Sequence, residues 1–150
     1  MSIEVKDYGV TAQGQQVKQY VLVNKQGMKA VLLNYGAVIT ELHVPDKKGQ
    51  FHDVVWGYGS IAGYEVNEPG LGSAIGRNAN RIGKAQIAIG GKVYELQKND
   101  GENNLHGGNP GYNRRMWKGL IADDNKVEFS LESPNGDQGF PGNASVRISY

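Results

Sequence analysis

Two short segments gather the side chains best suited to hold a polar ligand. Residues 76–82, Gly-Arg-Asn-Ala-Asn-Arg-Ile, set Arg77 and Arg81 beside Asn78 and Asn80. A guanidinium offers a rigid fork of donors and a carboxamide offers both donor and acceptor, so this mixture suits neutral hydroxyls as well as carboxylates. Residues 99–108, Asn-Asp-Gly-Glu-Asn-Asn-Leu-His-Gly-Gly, place His106 among asparagines and glycines. Glycine lets a backbone come close to a ligand, and an imidazole can donate or accept a proton near neutral pH. Composition alone also accommodates a plainer reading of each segment: arginines in surface ion pairs, and an exposed loop histidine with no role. Tyr35, Trp56, Tyr58, Tyr112 and Trp117 could stack on the CH face of a sugar ring, but in a β-rich chain such residues are first read as core.

Other chemistries are poorly served. The chain has no cysteine, which excludes disulfides, thiolate nucleophiles and Cys-ligated zinc. His43, His52 and His106 lack the short spacing of a local zinc motif. Gly70-Leu71-Gly72 superficially resembles a dinucleotide loop, but no helical pattern follows it and no βαβ unit holds it. Neither a GxxxxGK[ST] loop nor a GxSxG elbow occurs. No cofactor or metal is expected. The 16 Lys+Arg against 15 Asp+Glu leave a net charge of +1, which gives no reason to expect nucleic acid or a membrane surface as partner. No apolar run approaches the ~20 residues of a membrane span. The start, Met-Ser-Ile-Glu-Val-Lys-Asp, is not read as a signal peptide, so a cytoplasmic location is expected.

The elements that must position these loops are short strands. Glycine, 22 of 150 residues, falls singly and in pairs between β-rich runs, as tight turns require. Strands are expected over residues 17–24, 28–34 and 37–44, with a turn at Lys25-Gln26-Gly27 and a break at Tyr35-Gly36. In the third, Ala37, Ile39, Glu41 and His43 share one face; Val38, Thr40, Leu42 and Val44 share the other. Residues 53–58 (DVVWGY) read as a shorter buried strand, and residues 59–75 as a long loop. Residues 85–95 form a hairpin about Gly90-Gly91, whose paired glycines suit a primed turn. Another strand covers residues 126–132, followed by a turn at Pro134-Asn135-Gly136-Asp137. No segment carries a sustained helical period. The expected fold is all-β, an antiparallel β-sandwich.

The last strand, residues 144–150, carries Val146, Ile148 and Tyr150 on one face. Such a strand needs cover and a paired edge. Two readings fit equally: it pairs with an earlier strand of this chain, or its partner lies downstream.

Taken in order, these segments resemble the aldose 1-epimerase (galactose mutarotase) family. Members carry YGAxIT, PD, DVVLG, GxxxGRxANRI, NxxxNxLHGG, a Trp, then SPDGxxGYPG. This chain reads Tyr35 to Thr40 (YGAVIT), Pro45-Asp46, Asp53 to Gly57 (DVVWG), Gly72 to Ile82 (GSAIGRNANRI), Asn99 to Gly108 (NDGENNLHGG), Trp117, and Ser133 to Gly142 (SPNGDQGFPG). Trp56 replaces a small aliphatic residue, Asn135 an Asp and Phe140 a Tyr. The resemblance implies one galactose mutarotase-like β-supersandwich, of which residues 1–150 would be the N-terminal portion, since family members run to roughly twice this length.

The resemblance also implies an isomerase that interconverts the α and β anomers of hexoses such as galactose and glucose, without metal or cofactor. Asn80, Arg81 and His106 match the family's sugar-contacting set. The family's general acid, a histidine in a segment like TNHxYFNL, and its base, a late glutamate, have no counterpart in this sequence. The chain alone is therefore expected to be inactive and to need a complementary C-terminal half or self-association to cover its last strand. The competing expectation is a non-catalytic carbohydrate-binding β-sandwich; a sugar phosphate in place of the free sugar stays open.

Overall fold

The structure, a computed structural model, describes residues 2–150. Five antiparallel strands form the first sheet in chain order: β1 (Ser2–Val10), β2 (Gln16–Val23), β3 (Lys29–Leu33), β4 (Ile39–Pro45) and β5 (Phe51–Asp53). A short helix α1 (Ile61–Val66) follows, then β6 (Arg81–Ile82), the hairpin β7 (Gln86–Ile89) and β8 (Lys92–Glu95), and β9 (Asn104–Leu105). The chain closes with a second sheet of β10 (Lys118–Asp123), β11 (Lys126–Ser133) and β12 (Ala144–Ser149). No helix among the described residues is long and apolar enough to cross a membrane.

Alternation along the strands sends side chains to opposite faces of the first sheet. One face, carrying Tyr20, Leu32 and Ala37, packs against Val127 and Phe129 of the second sheet, with Tyr112 and Trp117 in the same cluster. The Tyr20 and Phe129 rings meet edge to face with centroids 5.2 Å apart. The opposite face, carrying Val17, Leu33 and Val38, is covered by Ile61 and Tyr64 of α1. The sheet thus has an apolar layer on each side, and Leu32, Leu33, Val17, Val38 and Phe129 are all fully buried. Burying each such side chain contributes about 1.5–3 kcal/mol, so these two layers are the main source of stability.

Most expected elements are present. The Gly90-Gly91 turn has φ of +59° and +80°, the primed geometry that joins β7 to β8. β12 pairs with β11 of the same chain, from Glu128 opposite Ser149 to Ser133 opposite Ala144. Its face residues Val146, Ile148 and Tyr150 are half-buried against the core, and its outer edge has no strand beside it among the described residues.

Four expectations need correction. Residues 53–58 are not a buried strand: β5 ends at Asp53, and beyond it Val54 is 57% and Trp56 84% exposed. The apolar run signalled burial, but only its end is covered: Tyr58 packs on Tyr64, while Val54 and Trp56 stand in solvent. Trp56, first read as core, is the most exposed large apolar residue among the described residues. The third strand begins at Ile39 rather than Ala37, because Gly36 and Ala37 both take positive φ and turn the chain. The long loop over residues 59–75 also contains α1, one turn and a half that is too short to show a helical period. β1 and β10 were not expected at all. Both carry too many charged and exposed residues to show an apolar period, and each is an edge strand of its sheet.

Candidate functional site

β6 and β9 are each two residues long, yet they join the two loops singled out in the sequence. Arg81 pairs with Leu105 and Ile82 with Asn104. Just beyond this ladder the loops bond each other twice more. The His106 backbone N–H donates to the Asn80 carbonyl at 3.1 Å, and the Asn80 backbone N–H donates to His106 Nδ1 at 3.0 Å. Asn80 and His106 both take left-handed backbone conformations, φ +63° and +54°. Asn, His and Asp visit that region more readily than other residues with a Cβ. Asn80, Arg81 and His106 are all exposed, with Asn80 in contact with both of the others.

The reciprocal latch fixes the chemistry of the imidazole. An Nδ1 that accepts a hydrogen bond carries no proton, so the neutral ring holds its proton on Nε2. His106 therefore presents an N–H donor outward, which suits a ligand oxygen. Next to it, Arg81 Nε donates to Asp100 Oδ2 at 2.7 Å, and Nη1 lies 3.5 Å from Asn80 Oδ1. The Arg81 hydrogen bond holds the Asp100 carboxyl below its ordinary pKa. Apart from that long Nη1 contact, Arg81 keeps its terminal N–H groups for a polar ligand. The arrangement can donate several directed hydrogen bonds to hydroxyls within one small area.

The histidine loop is shaped by asparagine side chains that imitate backbone. Asn99 donates to the Leu105 carbonyl at 2.9 Å and accepts from the Leu105 N–H at 2.7 Å. The fully buried Asn104 donates to the Gln97 carbonyl at 2.7 Å. Gly107 (φ +82°) lies directly against the arginine loop: a Cβ there would sit 2.1 Å from the Gly76 carbonyl oxygen. Only glycine lets the two backbones meet at that distance.

Behind this surface lies a polar buttress. Arg115 makes a bidentate pair with Asp137, Nη1 to Oδ2 at 2.6 Å and Nη2 to Oδ1 at 2.8 Å. Its Nε and Nη2 also donate to the Pro110 carbonyl. The Ser133 hydroxyl bonds Asp137 Oδ2 at 2.5 Å. The Arg115 hydrogen bond, above all, holds the Asp137 carboxyl below its ordinary value, with Ser133 adding to it. Arg77 is part of this frame. Its donors go to Ser133 Oγ and to the carbonyls of Ser133, Pro134 and Pro141 at 2.7–3.0 Å. Arg77 and Arg81, four residues apart, therefore do different things: one ties down the segment 133–141, the other stands in solvent beside His106.

The remaining sequence candidates lie elsewhere. His43 bonds Glu41, which also pairs with Lys29, while His52 is exposed near Asp46. Among the described residues no group of three or more His, Asp or Glu is placed to hold a metal. Tyr35, Tyr112 and Trp117 are core residues, as first read, and Tyr58 packs on Tyr64. Asn99 and Asp100 lie in the segment singled out in the sequence, where only His106 was assigned a role; both shape the site as well. Beside the arginine loop, Ile75, Tyr112, Trp117, Val146 and Ile148 line an open, mostly apolar depression of about 370 Å³.

Residues 18–150 match the aldose 1-epimerase family. The chain belongs to that family. It is 38% identical over 134 residues to galactose mutarotase of Bos taurus, covering 89% of this chain and 39% of that protein. It is 35% identical over 137 residues to aldose 1-epimerase of Escherichia coli strain K12, covering 91% of this chain and 40% of that one. Solved structures agree. A galactose 1-epimerase from Lactobacillus acidophilus superposes with a TM-score of 0.85 at 26% identity, over all of this chain and 44% of the other. An aldose epimerase homologue from C. elegans gives 0.80 at 36% identity, over 87% and 40%. This aldose 1-epimerase family chain thus spans about two fifths of the length of the relatives it matches. Its fold is the galactose mutarotase-like β-sandwich expected from the sequence.

Proposed function

We propose that residues 1–150 are the N-terminal portion of an aldose 1-epimerase domain and carry part of its sugar site, with Asn80, Arg81 and His106 holding the hexose. The single observation behind this reading is the reciprocal bond between Asn80 and His106. It puts the imidazole in contact with the asparagine–arginine segment and leaves the Nε2 side of the ring to donate, which supports a shared sugar site. Family membership supports an aldose as the substrate class; galactose and glucose are the sugars we propose. The cytoplasm is the compartment we propose, in keeping with a sequence free of cysteine.

Anomer interconversion opens the ring to the aldehyde, rotates the C1–C2 bond and closes the ring on the other face. A proton is delivered to the ring oxygen while another leaves the C1 hydroxyl, so two positioned groups of different pKa are required. His106 and Arg81 would orient the sugar by donated hydrogen bonds, so that the ring oxygen and O1 face that pair. In our reading the pair comes from a region matching the rest of the relatives' length, which would also cover the apolar depression beside β12. Without it the chain binds sugar and turns it over negligibly, since an acid or base contributes roughly 10²–10⁴-fold.

Polarimetry of freshly dissolved α-D-galactose and α-D-glucose tests this directly. A protein extended to the relatives' full length should accelerate mutarotation, and His106→Ala should lower kcat/KM. An unchanged rate and KM in that variant would remove His106 from the site. If galactose binds this chain but the extended protein shows no acceleration, the reading gives way to a non-catalytic carbohydrate-binding sandwich.

A further inference from the structure

Arg81 is the one site residue with a long flexible side chain, and it stands in solvent: its side chain is 56% exposed. A free arginine there would sample many rotamers and lose that freedom on binding sugar. The structure shows one short tether, the bond from Nε to Asp100 Oδ2 at 2.7 Å, beside a long contact from Nη1 to Asn80 Oδ1 at 3.5 Å. Asp100 is itself fixed. Its backbone bridges Asn103 in both directions, at 3.2 Å and 3.0 Å, and its side chain is only 30% exposed. The neighbouring Asn99 ties this turn to Leu105, next to His106. The short bond at Nε fixes the plane of the fork, while Nη2 has no protein partner among the described residues and Nη1 only the long contact to Asn80, so both keep N–H groups for a ligand.

Resting on the sugar-site reading above, we propose that Asp100 is a positioning residue. It anchors Arg81 through Nε so that Nη1 and Nη2 face the sugar hydroxyls beside His106. Asp100 touches no sugar and acts only through Arg81. Its charge is what matters: a carboxylate holds a guanidinium far better than a neutral amide of the same shape.

The test is titration of the ¹⁵N-labelled chain with D-galactose, followed by NMR, for wild type, Asp100→Asn, Asp100→Glu and Arg81→Ala. Asp100→Asn should weaken galactose binding roughly three- to tenfold, the cost of ordering one free side chain. The Arg81 Nε–H resonance should move toward the position of an unpaired arginine, while the His106 and Leu105 amides stay in place. Asp100→Glu, which restores the charge, should recover part of both effects. Asp100→Asn binding as tightly as wild type, with Arg81→Ala weakened, overturns the positioning role and leaves the sugar site standing. Arg81→Ala binding as tightly as wild type overturns the site reading itself, and so does a wild-type chain that binds no galactose.

Discussion

The molecule contains two arginine–aspartate pairs close to the candidate site, and they have opposite characters. Arg115–Asp137 lies behind the site with side chains only 17% and 11% exposed; Arg81–Asp100 lies at its rim with 56% and 30%. The inner pair is bidentate and is further bonded by Ser133 and the Pro110 carbonyl. The outer pair shares one strong hydrogen bond, and the arginine's terminal nitrogens stay largely free. Burial makes the first a structural joint whose loss leaves an uncompensated charge. Exposure makes the second nearly neutral for stability and suited to an incoming ligand. One pair holds loops together, and the other presents a donor fork.

The largest effect that would sharpen this contrast is Asp137→Ala. It strands Arg115 among carbonyls and should cost about 3 kcal/mol, at the low end for a broken buried pair, in urea unfolding. Less than 1 kcal/mol would place the inner pair in the same class as the outer one. Gly107→Ala comes next. A Cβ in a left-handed backbone, pressed on the Gly76 carbonyl, should cost about 2 kcal/mol and displace the His106 amide resonance.

Acid should distinguish the pairs as well. The folded protein holds Asp137 below its ordinary value of 3.8, so the carboxylate's contribution is fully present above that value. It is lost as pH falls through the lower folded value. Wild-type stability should therefore fall more steeply than that of Asp137→Asn below about pH 4, as measured by thermal melts along a pH series. Parallel curves would show that the inner pair is not linked to folding.

Arg81→Ala should leave the melting temperature unchanged but weaken galactose binding by roughly tenfold or more, since hydrogen bonds from a charged donor are lost. A large drop in melting temperature would mean that the outer pair is a joint after all. Trp56→Ala, at a position 84% exposed, should have the smallest effect of all on the melting temperature.

The candidate site was legible in the sequence to an unequal degree. Arg81, Asn80 and His106 stood out because their types suit hydroxyl recognition and their segments match a family pattern. Arg77 looked equivalent to Arg81, as nothing in the local sequence says which arginine meets the carbonyls of a segment 56 residues away. Asp100 lay in the named histidine segment but was given no role, since nothing local says that its carboxylate meets Arg81, 19 residues away. The run of residues 53–58 misled for a related reason. Apolar residues report a demand for cover, and whether a neighbour meets that demand is decided elsewhere in the chain.

The sequence alone determined the strands with clean alternation, the Gly90-Gly91 hairpin and the arginine and histidine loops as the chemically interesting parts. Those features rest on local forces: backbone sterics, period-two patterning and side-chain chemistry. The tertiary structure alone decided that β6 meets β9, that His106 Nδ1 accepts the Asn80 N–H, and which aspartate each arginine takes. These contacts join residues far apart in the chain. Their partners follow from how two sheets pack over a shared core and bring their connecting loops to one face.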